Sequence, residues 1–382
     1  WTHAAGLTSG TNARGILMDF DYVVFIGRFE PFHNGHLAVA RHALRLLRGT
    51  ADGSPQTTRA AARPGKLILL IGSADAPRTP RNPWTAAERR VMLQAALEDA
   101  SEQILVRPLR DHLYNEAQWI AAVQRTVAEA IRADGGPADA RIGLIGQRKD
   151  ASSYYLEEFP QWRLIDVGHT ETLSATDLRR HLFETGPGDY GSLMLVRANV
   201  PEPVFAMLDA FRRHDPAHAE LVEEYRFLRD YRAAWNAAPY APTFVTTDAV
   251  VVHSGHVLLI RRRSAPGKGL WALPGGFIRQ DEALLDGCIR ELREETRLKL
   301  PAPVLRGSLK GSHVFDHPER SLRGRTITHA FHFEFPQGEL PAVRGSDDAD
   351  KARWFPMAEA LEMGPRLFED HLHILEYFIG RG

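Results

Sequence analysis

One stretch limits the folds open to this chain more than any other: a buried strand followed at once by a glycine-bearing turn and a helix. Residues 22–26 read Tyr-Val-Val-Phe-Ile, an apolar and β-branched run that predicts a strand covered on both faces. Residues 37–47 repeat apolar side chains at helical spacing. Because free backbone N–H groups and the helix dipole favour an anion at a helix N-terminus, the turn between these elements predicts a phosphate-binding site.

The turn itself carries two histidines. Residues 27–36 read Gly-Arg-Phe-Glu-Pro-Phe-His-Asn-Gly-His. His33 and His36 supply directional hydrogen-bond donors three residues apart, and Gly35 lets the backbone approach a ligand closely. A lone His-x-x-His is equally typical of a tight turn with two surface histidines. The full string, however, resembles the Gly-x-Phe-x-Pro-x-His-x-Gly-His signature of the nucleotidyltransferase superfamily.

Length and composition limit the classes of protein that this chain can belong to. Its 382 residues predict two domains, and 44% hydrophobic with 25% charged residues is typical of a soluble globular protein. A net charge of −1 excludes a global positive field for nucleic acid or anionic membrane. A single cysteine, Cys288, excludes an intrachain disulfide framework and indicates a reducing compartment, here the cytoplasm.

Neither a membrane span nor a signal peptide is expected. No apolar run reaches the roughly 20 residues that a membrane helix needs. Residues 1–14 are small and polar, lack an apolar central region and are expected to form a disordered tail. Residues 49–65 are of low complexity and are expected to form a mobile loop.

Alternating strand and helix patterns in the first half predict an α/β fold. Buried strands are expected at 66–73, 104–106 and 141–146, with helical patterns between them. This alternation is typical of a parallel sheet, whose ligands bind at the carboxyl ends of the strands. The polar segments that follow these strands all lie at the edge of the sheet where the carboxyl ends of the strands meet.

A second polar stretch supplies the elements of another phosphate clamp. Residues 173–180 read Leu-Ser-Ala-Thr-Asp-Leu-Arg-Arg. Ser174 or Thr176 is a candidate N-cap, and Arg179 falls in the first turn of the helix that follows. A hydroxyl, backbone N–H groups and a guanidinium would then converge on one point. Alone, the stretch is an ordinary helix start; beside the first motif, it resembles the Ile-Ser-x-Thr-x-x-Arg motif of the same superfamily.

Within that superfamily the first half resembles the archaeal-type nicotinamide mononucleotide (NMN) adenylyltransferases. The resemblance implies a Rossmann-like nucleotidyltransferase domain over residues 15–213 that joins NMN to ATP with Mg²⁺, giving NAD and pyrophosphate. It assigns the ATP phosphates to His33 and His36, and their β/γ end to Arg179. It assigns further nucleotide contacts to Gly27, Arg28, Phe29, Gly35, Ser73, Asn82, Trp84, Ser174 and Thr176.

Two positions depart mildly from that family. Trp84 stands where the family usually has Phe; it either stacks on the nicotinamide ring or packs in the core. Glu30 stands where Gln is often found. Because a carboxylate is less comfortable than an amide near phosphates, we assign Glu30 no substrate contact.

A helical linker is expected at residues 214–240. Asp-Pro at 215–216 ends the helix before it, and Pro-Tyr-Ala-Pro at 239–242 marks the boundary of the second domain. Residues 243–261 then predict two hairpin strands around Ser-Gly at 254–255.

A cluster of acidic residues on one predicted helix dominates the second half. Residues 276–296 read Gly-x5-Glu-x7-Arg-Glu-Leu-Arg-Glu-Glu-Thr. On a helix, Glu291, Glu294 and Glu295 share one face, and a hard divalent cation such as Mg²⁺ would relieve their mutual repulsion. Arg290 lies four residues before Glu294, so one acid is alternatively an orienting partner. An exposed acidic helix with salt bridges accounts for Glu-x-x-Glu-Glu alone, but not for the whole spaced string.

The spaced string resembles the Nudix box, Gly-x5-Glu-x7-Arg-Glu-hydrophobic-x-Glu-Glu-x-Gly-hydrophobic. The resemblance implies an α/β/α Nudix domain over residues 241–382 that binds Mg²⁺ or Mn²⁺. It assigns catalysis to Arg290, Glu291, Glu294 and Glu295, the three glutamates being the metal ligands. Arg297 stands where the box has Gly, so we expect this helix to end differently.

The whole chain apart from its tail resembles the bifunctional adenylyltransferase/Nudix ADP-ribose pyrophosphatases. Besides NAD synthesis, this implies cleavage of ADP-ribose to AMP and ribose 5-phosphate, with an acidic loop at 347–350 as a candidate general base. Two alternatives stay open for the second half, namely a non-catalytic sensor of NAD metabolites and hydrolysis of another dinucleotide such as NADH. The expected partners are small-molecule nucleotides, without nucleic acid or membrane, and a homo-oligomer is left open.

Overall fold

The computed structural model describes residues 20–48, 64–147, 156–168, 173–186, 189–345 and 349–380. Within these ranges the chain forms two separate β-sheets, joined by a run of helices. The expected tail at 1–14 and nearly all of the low-complexity loop lie outside them. None of the helices described is long and apolar enough to span a membrane.

The first sheet has five parallel strands. They are β1 (Tyr22–Gly27), β2 (Lys66–Ile71), β3 (Ile104–Pro108), β4 (Ile142–Gly146) and β5 (Arg163–Asp166). Their order is β3-β2-β1-β4-β5. Because the order reverses between β1 and β4, the crevice expected of such a sheet opens at the carboxyl end of β1, where the histidine turn begins.

Seven helices accompany this sheet and lead to the second one. They are α1 (Asn34–Leu47), α2 (Ala86–Ala96), α3 (Glu116–Ala133), α4 (Ala175–Glu184), α5 (Tyr190–Asn199), α6 (Glu202–His214) and α7 (Pro216–Ala234). Alternate residues of β1 face opposite layers: Val23 packs in a core with α1 and α2, and Val24 in a core with α3. Burial on both faces accounts for the continuous apolar run.

Helix α7 contacts both halves of the molecule. Its N-terminal part packs on the first half, where Leu221 joins the core and the Tyr225 hydroxyl donates to Glu184 at 2.8 Å. Its last turn reaches the second half, where the Arg232 guanidinium donates to the Leu322 carbonyl. The boundaries of the linker, 214–240, stay a prediction.

The second sheet is mixed. Its strands are β6 (Phe244–His253), β7 (His256–Arg262), β8 (Trp271–Ala272), β9 (Gly275–Phe277), β10 (Leu309–Phe315), β11 (Thr326–Phe335) and β12 (Ala349–Pro356). Strands β11 and β6 pair in parallel, and the remaining pairs are antiparallel. The predicted hairpin is confirmed, since β6 and β7 meet at residues 254–255.

Helices cover both faces of this sheet. They are α8 (Leu284–Thr296), α9 (Ala302–Gly307), α10 (Met357–Leu361) and α11 (His371–Ile379). On β6, Val251 packs with Cys288 of α8, whereas Val250 packs with Ile374 of α11. The predicted α/β/α arrangement of the second half is therefore confirmed, as is the parallel α/β fold of the first.

The end of α8 corrects one prediction. We expected Arg297, which replaces the usual glycine, to terminate the helix differently. Instead Arg297 adopts the left-handed conformation of a helix C-cap, with φ 52° and ψ 24°. Its backbone N–H donates to the Arg293 carbonyl at 3.1 Å. The chain thus keeps the helix end that glycine favours, at the steric cost that a Cβ brings there.

Candidate functional sites

Reciprocal hydrogen bonds hold the histidine turn after β1. His33 is the N-cap of α1, and its Nδ1 accepts from the Gly35 N–H at 3.1 Å. Nδ1 of His36 accepts from the His33 N–H at 3.3 Å, and the two rings stack with centroids 3.7 Å apart. Because each Nδ1 accepts, a neutral ring carries its proton on Nε2. The turn therefore fixes two Nε2 donors beside the N-terminus of α1.

Arg179 links the second motif to the same turn. It lies in the first half of α4, where Ser174 is the N-cap and its Oγ accepts from the Asp177 N–H at 3.1 Å. The buried Arg179 guanidinium donates to the Glu30 carbonyl and, at 3.1 Å, to Thr176 Oγ1. The structure thus brings the two sequence motifs together, although 149 residues separate Arg179 from Glu30.

A buried arginine that sequence reasoning missed ties α2 to the carboxyl ends of β1 and β2. Arg89 is 1% exposed. Its guanidinium donates to the carbonyls of Arg28 and Gly72, both at 2.7 Å, and of Ser73 at 3.0 Å. Three carbonyls bound by one planar cation fix the relative position of two loops that carry predicted nucleotide contacts.

Glu30 is buried behind these loops. Its carboxylate pairs with Arg89 at 3.0 Å and accepts from the Trp84 N–H at 3.3 Å. Burial raises the pKa of Glu30 to about 8, against the opposing charge of Arg89. The ionised carboxylate is therefore less favourable here than in water. Burying the charges of both Glu30 and Arg89 is unfavourable, and an amide in place of the Glu30 carboxyl group would cost less free energy of desolvation.

A cavity of about 600 Å³ opens at the carboxyl ends of β1 and β2. The predicted contacts that line it are Gly27, Arg28, Ser73 and Asn82. The Arg28 guanidinium makes no hydrogen bond or ion pair with any described residue, and Asn82 Oδ1 is buried without a hydrogen-bond partner there. Unpaired polar groups at a cavity wall indicate a ligand that pairs with them. Five other predicted site residues do not line this cavity: His33, His36, Ser174, Thr176 and Arg179.

Two aromatic residues with predicted contacts pack inside the domain. The Phe29 side chain is 1% exposed and packs edge-on against Phe25 and His36. The Trp84 side chain is 2% exposed and packs edge-on against Phe211. This burial favours the core alternative for Trp84 over stacking on a nicotinamide ring. Phe29 supports the turn through its packing and through its left-handed backbone, with φ 55°.

In the second half, Arg290 is the hub of the acidic cluster. Its Nε and Nη2 donate to Glu282 at 2.9 and 2.6 Å. Its Nη1 donates to Glu291 at 2.7 Å and to Glu294 at 3.0 Å, so the predicted pair four residues apart is formed. One guanidinium at the middle of α8 therefore orients three carboxylates.

Glu291 and Glu295 lie against the glycines of β9. The Gly275 N–H donates to Glu295 Oε2 at 2.9 Å. A Cβ placed on Gly275 would lie 2.1 Å from the Thr247 carbonyl oxygen, so the strand requires glycine there; one on Gly276 would lie 2.9 Å from the Glu291 carboxyl carbon, at the flexible end of that side chain. Burial raises the pKa of Glu295 to about 8 and also raises the pKa of Glu291. Arg290 beside Glu291, and the Gly275 N–H and Arg262 beside Glu295, do not supply enough positive charge to offset this burial.

The donor chemistry of this cluster fits a hard divalent cation. Carboxylate oxygens are the ligands that Mg²⁺ and Mn²⁺ prefer, and a cation would supply the missing positive charge. Across the part of the chain that the structure describes, no three acidic, histidine or cysteine side chains are already arranged to hold a metal. Arg290 Nη1 bonds to both Glu291 and Glu294, so these side chains must turn toward a cation on binding.

Other functional candidates were not found from the sequence or fall outside the structure. Asp111 accepts from Ser73 through both the Oγ, at 2.6 Å, and the backbone N–H, at 3.2 Å. It follows β3, so the rule of carboxyl strand ends could have found it. Of the acidic loop, residues 347–348 lie outside the described ranges, and Asp350 pairs with Arg261.

Comparison with known families defines the class of the chain. A cytidylyltransferase-like family model matches residues 24–181, and a NUDIX domain model matches residues 242–378. These ranges contain nearly all of the first sheet and all of the second. The chain is therefore a two-domain protein that joins a nucleotidyltransferase domain to a Nudix domain.

Individual relatives match each half and the whole. The nicotinamide/nicotinic acid mononucleotide adenylyltransferase of Acinetobacter baylyi is 31% identical over 54% of this chain and 94% of its own length. The ADP-ribose pyrophosphatase of Methanocaldococcus jannaschii is 31% identical over 42% of this chain and 85% of its own.

A solved structure covers both halves at once. It is a bifunctional NMN adenylyltransferase/ADP-ribose pyrophosphatase from Francisella tularensis, complexed with AMP and a manganese ion. The match has a TM-score of 0.81 and 31% identity over 94% of this chain and 98% of the other. The chain belongs to the family of bifunctional NMN adenylyltransferase/ADP-ribose pyrophosphatases.

Proposed function

We propose that the chain is a bifunctional enzyme of NAD metabolism. Its first half transfers the adenylyl group of ATP to NMN, giving NAD and pyrophosphate. Its second half hydrolyses ADP-ribose to AMP and ribose 5-phosphate with a divalent metal, Mg²⁺ or Mn²⁺. The observation that carries this proposal is the end-to-end match to a bifunctional enzyme, at a TM-score of 0.81, with the polar residues of both sites present.

The first reaction needs no nucleophile from the protein. The NMN phosphate attacks the α-phosphorus of ATP and pyrophosphate leaves, so catalysis consists of positioning and charge stabilisation. His33 and His36 hold phosphate oxygens through Nε2, beside the N-terminus of α1. Arg28 and Arg179 offset the negative charge that develops on the leaving pyrophosphate. Arg89 holds the loops that follow β1 and β2 in fixed relative positions for these phosphate contacts.

The second reaction depends on the carboxylates of α8. Glu291, Glu294 and Glu295 would hold the cation, and Arg290 keeps Glu291 and Glu294 oriented before it binds. When bound, the cation polarises the diphosphate and assists attack by water. The glycines of β9 let the carboxylates of Glu291 and Glu295 lie close to the strand.

A substrate panel tests both activities with the unmodified protein. NMN, ATP and MgCl₂ or MnCl₂ should yield equal amounts of NAD and pyrophosphate, and ADP-ribose with the same salts should yield AMP and ribose 5-phosphate. Folded protein that released no pyrophosphate would remove the first activity. Tight binding of ADP-ribose without AMP formation across the metal series would support the sensor alternative. Faster cleavage of NADH than of ADP-ribose would reassign the substrate.

A further inference from the structure

The two halves meet at the ligand-binding edge of the first sheet. The Tyr114 hydroxyl, a few residues beyond β3, donates to Asp370 Oδ2 of the second half at 2.6 Å. Arg110 pairs with Glu376 of α11. The 600 Å³ cavity is consequently lined by both halves, with His317, Glu319 and Asp370 on the side of the second. A ligand of the first half therefore binds within reach of residues from the second.

Three guanidinium groups of the first half lie close together at this edge. Burial, and then the neighbouring charge of Arg81, lowers the pKa of Arg28. Burial, and then the charge of Arg28, lowers the pKa of Arg179 to about 10. Like charges gathered in a partly buried site are unfavourable without an anion. The Glu30 carboxylate pairs with Arg89 and with none of these three guanidinium groups.

The second half supplies an anion to this cluster. The Arg81 guanidinium donates to the carboxylate of Glu319, across 238 residues of sequence. Among the described residues, Arg81 has no other hydrogen-bonded carboxylate, and the Glu319 carboxylate has no other hydrogen-bond donor. The Glu319 side chain is 61% exposed. An exposed pair of this kind contributes little to stability, so another anion can replace it at small cost.

We propose that Glu319 is an internal competitor of a substrate phosphate at Arg81 and Arg28, through which the second half sets the affinity of the first for its nucleotides. The inference rests on the proposed adenylyltransferase activity. On binding, the phosphate group leaves water and pairs with the guanidinium cluster. It thereby displaces the carboxylate that serves as the counter-ion of the cluster. Both NMN and ATP carry such a group, so each is a separate arm of the test.

The test compares Glu319→Gln with Glu376→Gln in the full chain. Glu319→Gln keeps the shape of the side chain and removes the competing charge. Glu376→Gln weakens another ion pair of the same interface, with Arg110, and leaves Arg81 and Glu319 in place. Isothermal titration calorimetry measures the dissociation constants of ATP and of NMN, each added alone. The rate of NAD formation is measured alongside.

Glu319→Gln should bind at least one of the two nucleotides about 2–5-fold more tightly at low ionic strength, the range that exposed ion pairs give. The difference should shrink at about 0.5 M salt, because screening already weakens the competing carboxylate. Glu376→Gln should bind like the unmodified protein. Unchanged or weaker binding of both nucleotides to Glu319→Gln would overturn the proposal, as would equal tightening in Glu376→Gln. Failure of the unmodified protein to form NAD would instead overturn the proposed activity, since the dissociation constants decide the role of Glu319 independently.

Discussion

At the scale of single residues, a buried acid in the first half makes stability depend on pH. Glu30 is 1% exposed, and burial raises its pKa from 4.5 to about 8. Between about pH 4.5 and pH 8 folding therefore takes up a proton at this site. The contribution of Glu30 is most favourable below this window and is lost as the pH rises through it.

Replacing Glu30 by glutamine should remove this pH dependence. The variant should gain stability relative to the unmodified protein as the pH rises from 5 to 8, by at most about 1.4 kcal/mol per pH unit. Urea denaturation at several pH values measures the gain. Glu88→Gln is the control, because the pKa of Glu88 is lowered by hydrogen bonds and ion pairing that outweigh its burial. An equal gain in Glu88→Gln, or none in Glu30→Gln, would contradict this account.

A second residue, Arg297, carries backbone strain at the end of α8. Its φ of 52° costs an L-residue about 1–2 kcal/mol, whereas glycine avoids this cost but loses roughly 0.4–1 kcal/mol of chain entropy. Arg297→Gly should therefore be more stable than Arg297→Ala by about 1 kcal/mol. Both variants lose the same side-chain contacts, so the comparison isolates the backbone. Equal urea midpoints for the two variants would show that this helix end is not strained.

The residue scale also shows what the sequence could and could not predict. The pairing of Arg290 with Glu294 followed from helical spacing alone. The bonds of Arg89 to the ends of β1 and β2 could not be predicted, because they depend on how α2 lies against the sheet. No local pattern encodes such a contact.

At the scale of elements, the predicted strands of the first sheet are confirmed because each is a continuous apolar run. Strand β5 (Arg163–Asp166) was not predicted, since it is short, and only one of its residues is buried. Thr85 and Glu88 have the spacing of a capping box, and the box is formed at the start of α2, each side chain accepting from the backbone N–H of the other. Local hydrogen bonding is thus readable from sequence, whereas a short edge strand depends on its neighbour.

Helix α2 fixes the site through Arg89, and that link is testable. Arg89→Lys keeps the charge but loses the planar fork, so we expect a loss of about 2–4 kcal/mol in the free energy of unfolding. Misplaced loops should lower the rate of NAD formation about 10–100-fold. Hydrolysis of ADP-ribose should not change. Arg90→Lys, the exposed neighbour with a single carbonyl partner, is the control. A normal rate of NAD formation in Arg89→Lys would show that the loops hold without it.

At the scale of the whole molecule, two sites are built in two sheets that share one interface. The presence of two halves followed from length and from two unrelated motifs. Their relative placement did not, because the contacts that set it join residues such as Tyr114 and Asp370, 256 positions apart. Such contacts leave no periodicity in the sequence. The interface brings Glu319 to the first site, yet each half keeps its own polar cluster, so the two chemistries should be separable.

The most direct measurement of this claim assays both activities in two single variants, His36→Ala and Glu294→Gln. His36→Ala should lower NAD formation at least about 100-fold, the cost of losing a preorganised donor to developing charge, and leave ADP-ribose hydrolysis intact. Glu294→Gln should do the reverse. Circular dichroism confirms that both variants fold. Loss of a different activity in each variant would establish two independent sites on one chain. Loss of both activities in either variant, or retention of both activities in both variants, would contradict this claim.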